Sequence, residues 1–458
     1  MTLSVFKNII VVDDDPDILS QMEKIFQKIG KINYKGFLGA DPALKELETN
    51  PSTYDIIFVD VRMPVFSGIA LVQYIKTHEN KKIRDCFCVP IVGSIGKEDK
   101  AIISEFYFYE TLTKPVAEKD FIKRLEELEE QEKNPESDRN FQKEFNNSIL
   151  EKKYKKSEEI LLPRLKKEPN SLRFLTLYAE LLLRAQDIKK SEEFLNKILK
   201  IDPNHIPALN LISKVHIKNN KFDEAMKALE KAKLLSPHNV DRLLVIGELN
   251  LGNGEAEKAE ENFKNVLKLN PTDDRASFGL GRALATQGRT EESKRVLANL
   301  KKGAELATFF NNKGVLLVKS GKYNEGVSLY KNAIKVLDMP DKEHLLLYNI
   351  ALAYSKLGDK VKALEHAKKA VEKSPPNYLK SKTLLDKLEK EGVSPAPAAS
   401  TAKVTTPSQP EGNAKETPKC LLTGDQMSFI MGGFDDGAAK AAPKPAAGEE
   451  EFISFGLD

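Results

Sequence analysis

The stretch NIIVVDDDPDIL, Asn8 to Leu19, decides how the first part of the chain folds. Four aliphatic residues, Ile9 to Val12, form a run that is short and continuous, the pattern of a strand buried on both faces. The run meets three aspartates, Asp13, Asp14 and Asp15, and then a helical pattern in which Ile18, Met22, Ile25 and Phe26 recur until Gly30 stops it. The alternation continues to about residue 130, with DIIFVD (Asp55 to Asp60), VPIVGSI (Val89 to Ile95) and TLT (Thr111 to Thr113) as further strands. Such alternation implies right-handed crossovers and a parallel sheet covered by helices on both faces. Ligands of these sheets sit at the carboxyl ends of the strands, where the three aspartates stand.

Composition bounds the rest. At 458 residues the chain is too long for one core, and about 100 to 200 residues per domain predicts two to four units. Charged residues are 30% of the chain but the net charge is only +3, so no nucleic-acid partner is expected. Cys86, Cys88 and Cys420 are too few for a disulfide framework, and Cys-x-Cys without a second ligand pair makes a poor zinc site; a reducing cytoplasm is expected. No run of about 18 apolar residues occurs and no signal-peptide pattern is visible, so neither membrane insertion nor export is expected.

From 138 to 392 the chain repeats. The segments KKEPNS, KIDPNH, LLSPHN and KLNPTD place Pro169, Pro203, Pro237 and Pro271, each 34 residues after the last, with turns such as NNKFDEA and GNGEAEKA between them. Two helices per unit, small residues where they cross and a proline after the second resemble the tetratricopeptide repeat. Seven units are read, the first (138 to 171) degenerate at Glu144 and Phe145, followed by a capping helix in NYLKSKTLLDKLEKEG. The unit starting near Asp274 lacks its closing proline, and the next has Pro340 two residues late. The resemblance implies an α-solenoid that binds an unidentified protein or peptide. Arg173, Arg184, Lys214, Lys218, Arg275 and Arg282, with Asn210, Asn311 and Tyr348, are expected to face its groove and to suit an acidic peptide.

Two segments flank the repeats. Residues 131–137 read as a linker. Residues 393–458, rich in Pro, Ala, Ser and Thr, read as a disordered tail interrupted by MSFIMGGFDDG (Met427 to Gly437) and EEEFISFGLD (Glu449 to Asp458). The second island is expected either to dock in the groove or, like the first, to bind a separate protein.

The acids of the opening stretch gain meaning from the other strand ends. Asp13 and Asp14 follow the first strand and Asp60 closes the third, so the three converge at one edge. Converging carboxylates repel unless a cation lies among them, and Mg2+ favours oxygen ligands. A calcium loop of the EF-hand type starting at Asp13 fails, because Ile18 stands where glycine is required and Lys24 where glutamate is. Ser94 adds a hydroxyl and Lys114, before Pro115, an ammonium. A metal, a carboxylate nucleophile, a hydroxyl and an ammonium around one point are what phosphoryl transfer to a carboxylate requires.

This set, with DVRMP and TKP, resembles the receiver domain of two-component response regulators across residues 1–130. The resemblance implies a doubly wound, five-stranded parallel sheet. It implies that Asp60 accepts a phosphoryl group from a histidine kinase or phosphotransfer protein, and that Asp13, Asp14, Asp60 and the backbone carbonyl of Arg62 hold Mg2+. Ser94 and Lys114 would each contact a phosphoryl oxygen, Lys114 preceding a cis bond to Pro115, and Asp15 would face the first helix. Ile95, where the family has a very small residue, predicts slow loss of the phosphoryl group. Thr111 stands where a switch aromatic is usual, with Tyr109 as a substitute. GNGEAEKA falls at a repeat turn rather than after a strand, and no catalytic output domain is visible. The expected protein is a phosphorylation-controlled adaptor and not an enzyme, the alternative being a constitutive scaffold with a vestigial receiver.

Overall fold

The computed structural model describes residues 5–30, 32–51, 54–64, 67–78, 80–93, 103, 105, 111–298, 300, 303–337, 339–340, 342–390, 422–423, 426–427 and 430. Two compact units are distinguished: chiefly Met1–Ile246 with Lys264–Asp273, and Gly247–Phe263 with Asp274–Ile430.

In the first unit, strands β1 (Asn8–Asp13), β2 (Asn33–Leu38), β3 (Ile56–Asp60), β4 (Phe87–Val92) and β5 (Leu112–Thr113) form a parallel sheet in the order β2-β1-β3-β4-β5. Helices α1 (Pro16–Ile29), α2 (Ala40–Thr49), α3 (Gly68–Thr77), α4 (Lys81–Arg84) and α5 (Glu118–Lys133) are interleaved with them. The continuous aliphatic runs are explained by burial on both faces: Ile9, Ile10, Val11 and Val12 are all fully buried, as are Ile56 to Val59. On one face Ile9, Val11 and Phe58 pack with Met22, Phe26, Phe121 and Leu125. Phe121 meets Phe26 edge-on at 5.4 Å and packs tilted against Phe58 at 5.1 Å, and such aromatic pairs add about 0.5–1.5 kcal/mol beyond burial.

Two strands differ from the sequence pattern. β2, NYKGFL, is an edge strand with only half-buried and exposed residues, so it lacks the aliphatic signature of its neighbours. β4 starts two residues earlier than expected and ends at Val92, not Ile95, with Pro90 inside it. In an extended strand successive residues point their N–H and C=O to opposite sides. Ile91 O accepts from Val61 N and Val92 O from Lys114 N, so Pro90 lacks its N–H on the β5 side. There β5 pairs only from Ile91 onward, and the missing donor breaks no ladder bond.

The junction 131–137 is packed rather than a free tether. α5 continues to Lys133, and Asn140 Nδ2 donates to the carbonyls of Gln131, Glu132 and Asn134 at its end. Arg139 lies over the Phe87 ring at 3.8 Å and pairs with Glu132 at 2.6 Å, tying the first repeat helix to the sheet domain.

The repeat helices among the described residues form seven pairs: α6 (Asp138–Leu150) and α7 (Tyr154–Lys167), α8 (Leu172–Arg184) and α9 (Ile188–Ile201), α10 (Ile206–Lys218) and α11 (Phe222–Leu235), α12 (Val240–Asn253) and α13 (Ala256–Leu269), α14 (Asp274–Thr286) and α15 (Thr290–Leu297), α16 (Gly303–Lys319) and α17 (Tyr323–Leu337), and α18 (Glu343–Leu357) and α19 (Lys360–Lys373). Helix α20 (Leu379–Lys390) closes the series. The degenerate first unit is a full pair, in which Phe145 joins Phe141, Leu161 and Phe174 in a buried cluster.

Each pair turns through one left-handed residue. Lys152, Gln186, Asn220, Gly254 and Gly288 follow one another at 34 residues, and Gly321 and Gly358 continue the series after 33 and 37. The next N–H then reaches back over the turn, as from Lys153 to Ser148 O, Asp187 to Leu182 O and Lys221 to His216 O. The small residue at the helix crossing keeps the same register: Ser157, Ser191, Ala225, Ala259 and Ser293 are all fully buried, with Gly326 and Ala363 following. The missing and late prolines therefore reflect changes in connection length, while turn and crossing are retained.

The first three turns carry side chains where later ones carry glycine. An L-residue in this conformation costs about 1–2 kcal/mol, partly recovered by a stiffer unfolded chain. Lys152→Gly and Gln186→Gly are each expected to raise unfolding stability by about 0.5–1 kcal/mol in urea titrations, with Asn220→Gly gaining less.

Candidate phosphoryl-acceptor site and its interface with the repeats

The strand order reverses at β1, whose neighbours are β2 on one side and β3 on the other. The crevice of a doubly wound sheet opens at the carboxyl ends of such strands. Asp13 ends β1 fully buried, and Asp60 ends β3 at 6% exposure. Carboxylate oxygens of Asp13, Asp14 and Asp60 lie within 4.8 Å of one another, with Asp14 exposed. Lys114, at the end of β5, is held there by its N–H to Val92 O at 2.8 Å and precedes a cis peptide to Pro115. Its Nζ stands 2.6 Å from Asp60 Oδ2 and 3.0 Å from Asp13 Oδ1.

Backbone donors fix both buried acids: Arg62 N donates to Asp60 Oδ1 at 2.9 Å and Asp15 N to Asp13 Oδ1 at 3.0 Å. Asp15 itself turns to α1, accepting from Asp17 N at 2.9 Å as its N-cap. Burial pushes the Asp13 carboxyl above the usual range despite hydrogen bonds from Lys114 and Asp15, and the charge of Asp60 adds to this. Burial works against the Lys114 charge, but Asp60 and Asp13 hold its ammonium above the ordinary value. Asp13 Oδ2 is buried and takes no aligned hydrogen bond, although Lys114 Nζ lies 2.9 Å away. A buried, undersatisfied carboxylate oxygen beside two further carboxylates fits a hard divalent cation such as Mg2+. Ser94, Ile95 and Tyr109 lie outside the described residues. Cys86 and Cys88 are buried thiols pushed up by that burial and take no part.

The loop after Asp60 also touches the repeats. A Cβ on Gly68 would fall 1.8 Å from the Asp60 carbonyl oxygen, so only glycine lets α3 start this close to the strand. Ser67 caps α3 through Ala70 N and donates its own N–H to Leu269 O of α13 at 2.9 Å. Val240 N, at the start of α12, donates to Gln73 Oε1 of α3 at 3.3 Å.

A second contact is made by Glu105. Its Oε1 receives Arg242 Nη1 at 2.5 Å, Asn239 Nδ2 at 2.7 Å and Asn210 Nδ2 at 2.8 Å; its Oε2 receives Ser236 Oγ at 2.7 Å. The Arg242 and Glu105 side chains are 1% and 2% exposed. Sequence reasoning placed Asn210 in the groove but missed Glu105, Asn239 and Arg242.

The other expected groove residues are mostly engaged within the protein. Arg173 pairs with Asp138 at 2.9 Å, Arg184 with Glu180 at 3.0 Å, and Lys218 donates to Gln186 at 2.7 Å. Arg275 is exposed, and Tyr348 is buried. Arg282 is buried against Glu248, and Asn311 accepts from Asn349 at 2.7 Å. Burial and the nearby Arg184 depress the Lys214 ammonium to about 8. Glu180, Lys214, Glu248 and Arg282 stand 34 residues apart in turn, so charge alternates at one repeat position; that spacing is the signal that foretells a mixed lining.

A doubly wound sheet with a lysine-bridged acidic cluster, joined to paired helices of fixed period, defines a signalling receiver coupled to a protein-interaction domain. Residues 9–126 match the response regulator receiver domain, 250–304 and 311–378 match tetratricopeptide repeats, and 151–232 match subunit 3 of the anaphase-promoting complex, cyclosome. The chain thus carries a response regulator receiver domain followed by tetratricopeptide repeats. Among solved structures it is similar to YrrB, a tetratricopeptide repeat protein described as having an unusual peptide-binding site, at 19% identity over 50% of this chain and 97% of that one, with a TM-score of 0.29. A tetratricopeptide repeat protein from Parabacteroides merdae matches at 16% identity over 55% and 98%, TM-score 0.33. The Cut9–Hcn1 assembly of APC/C matches at 15% over 69% and 58%, TM-score 0.35. None of the curated proteins compared with the chain matches it. No helix among the described residues is long and apolar enough to cross a membrane.

Proposed function

We propose that the chain is a cytoplasmic, phosphorylation-controlled adaptor whose receiver (1–130) takes a phosphoryl group on Asp60 and thereby regulates protein binding by the repeats (138–392). The observation that supports this best is the Asp60 carboxylate held between Lys114 and the Arg62 N–H beside Asp13 and Asp14. An Asp60 oxygen attacks the phosphorus of a phosphohistidine on a kinase or phosphotransfer protein; the P–N bond breaks and the imidazole leaves with the electron pair. Lys114 then pairs with a phosphoryl oxygen as well as Asp13, and Ser94 is assigned the neighbouring oxygen. Mg2+, held by Asp13, Asp14, Asp60 and the Arg62 carbonyl, supplies charge neutralisation when bound. The chain performs only its own phosphoryl transfer and hydrolysis.

The route to the repeats runs through Ser67, seven residues from Asp60, and through Glu105. A new dianion at Asp60 competes for Lys114 and reshapes the following loop, shifting the population of the Ser67 and Glu105 contacts. Two tests follow. Mg2+ at ten times its Kd is expected to stabilise the wild type by about 1.4 kcal/mol in thermal melts and to leave Asp13→Asn unaffected. Affinity capture with phosphorylated wild type and with Asp60→Asn is expected to recover different partners; identical sets would contradict phosphorylation control.

A further inference from the structure

We infer that the segment Leu422–Ile430 is a built-in ligand of the repeats, occupying the surface around Glu248 and Arg282 that an external partner uses. The partner of that surface is then a short helical peptide of the same chemistry, presenting a glutamine and an apolar residue one turn later. This goes beyond phosphorylation control and does not depend on it.

The segment belongs by composition to the Pro-, Ala- and Ser-rich tail, yet Thr423, Gln426 and Ile430 are only 1%, 1% and 2% exposed. Thr423 and Gln426 cap one another: Gln426 N donates to Thr423 Oγ1 at 3.2 Å, and Thr423 N to Gln426 Oε1 at 3.0 Å. This reciprocal pair starts a helical turn, closed by Met427 N to Thr423 O at 3.0 Å. Thr423, Gln426 and Ile430 are the buried side chains of the segment among the described residues.

The anchor is specific. Gln426 Nε2 donates to Glu248 Oε2 at 2.8 Å. Glu248 is 1% exposed and is already gripped by both terminal nitrogens of Arg282, whose guanidinium lies 4.7 Å from the Phe278 ring and 4.6 Å from the Phe309 ring. A buried ion pair is stable only when its remaining lone pairs find donors, and the Gln426 amide supplies one. Its oxygen is committed to Thr423 N, which fixes the orientation of the amide.

The contact is also suited to exchange. Three buried side chains, of which Gln426 is the polar anchor, make a small interface, weak as a separate peptide. Because the segment belongs to the same chain as the repeats, it competes intramolecularly, and an external ligand must outcompete it.

The test uses the full chain and a fluorescent peptide of residues 421–433, LLTGDQMSFIMGG. In the full-length Gln426→Ala/Ile430→Glu variant the tethered competitor is weakened while the repeats are untouched. Anisotropy titration is expected to show at least tenfold tighter apparent peptide binding to this variant than to wild type, and loss of binding when the peptide itself carries Gln426→Ala. Met427 amide exchange is expected to be slowed in wild type relative to the variant. Peptide binding to neither chain, equal binding to both, or a wild-type dimer that the peptide dissociates would each overturn the assignment of this segment as a ligand acting within one chain.

Discussion

An Asp60→Asn chain takes up no phosphoryl group from a small acyl phosphate in Mg2+ buffer, while the wild type gains the mass of one. The effect is complete because the carboxamide has no anionic oxygen to attack phosphorus, and neither neighbouring acid can replace it. Asp13 is fully buried behind Lys114, and Asp14 is exposed outside the lysine's hydrogen bonds. The fold is expected to survive, since Lys114 keeps its contacts to Asp13 and the repulsion between Asp13 and Asp60 is relieved. Thermal melts should therefore place Asp60→Asn at or above wild type without Mg2+, and intact-mass measurement should show no adduct. An adduct on the variant would move the acceptor elsewhere.

The second large effect is expected at Arg242. Truncating it to alanine leaves the Glu105 carboxylate buried with only neutral donors, and breaking one partner of a buried ion pair typically costs about 3–5 kcal/mol. Glu105→Gln keeps the shape and lowers the charge cost, and is expected to destabilise less. In the double variant Arg242→Ala/Glu105→Gln, much of the Arg242→Ala loss should be recovered, because the unpaired buried charge is gone. Urea unfolding of the four chains measures the coupling. Additive losses would mean that Glu105 is not held by Arg242.

What could be read from the sequence depended on whether neighbours in space were neighbours in pattern. The buried strands announced themselves because Ile9 to Val12 and Ile56 to Val59 are covered on both faces, which forces uniform aliphatics. β2 did not, because an edge strand carrying Asn33, Lys35 and Gly36 has no such constraint. The acids were legible since Asp13 and Asp60 end strands and Asp14 follows directly, and parallel topology alone brings strand ends together. The repeats were legible through the 34-residue spacing of their prolines, whereas the glycine-free turns at Lys152 and Gln186 carry no small residue to mark them and were not read.

The contacts between elements were not legible. Glu105 reaches Arg242 across 137 residues and Gln426 reaches Glu248 across 178, and neither separation follows a period. Groove residues chosen by position, such as Arg282 and Asn311, proved to be engaged by Glu248 and Asn349, because equivalent or adjoining positions of successive repeats are close enough to pair.

Hydrogen exchange at the Ser67 and Val240 amides tests the central claim most directly. Ser67 N is held by Leu269 O and Val240 N by Gln73 Oε1, so both amides report the contact between receiver and repeats. Phosphorylation control predicts that both exchange at least tenfold faster in wild type carrying the phosphoryl group than in unmodified wild type, with no change in identically treated Asp60→Asn. Equal exchange with and without the phosphoryl group on Asp60 would contradict it.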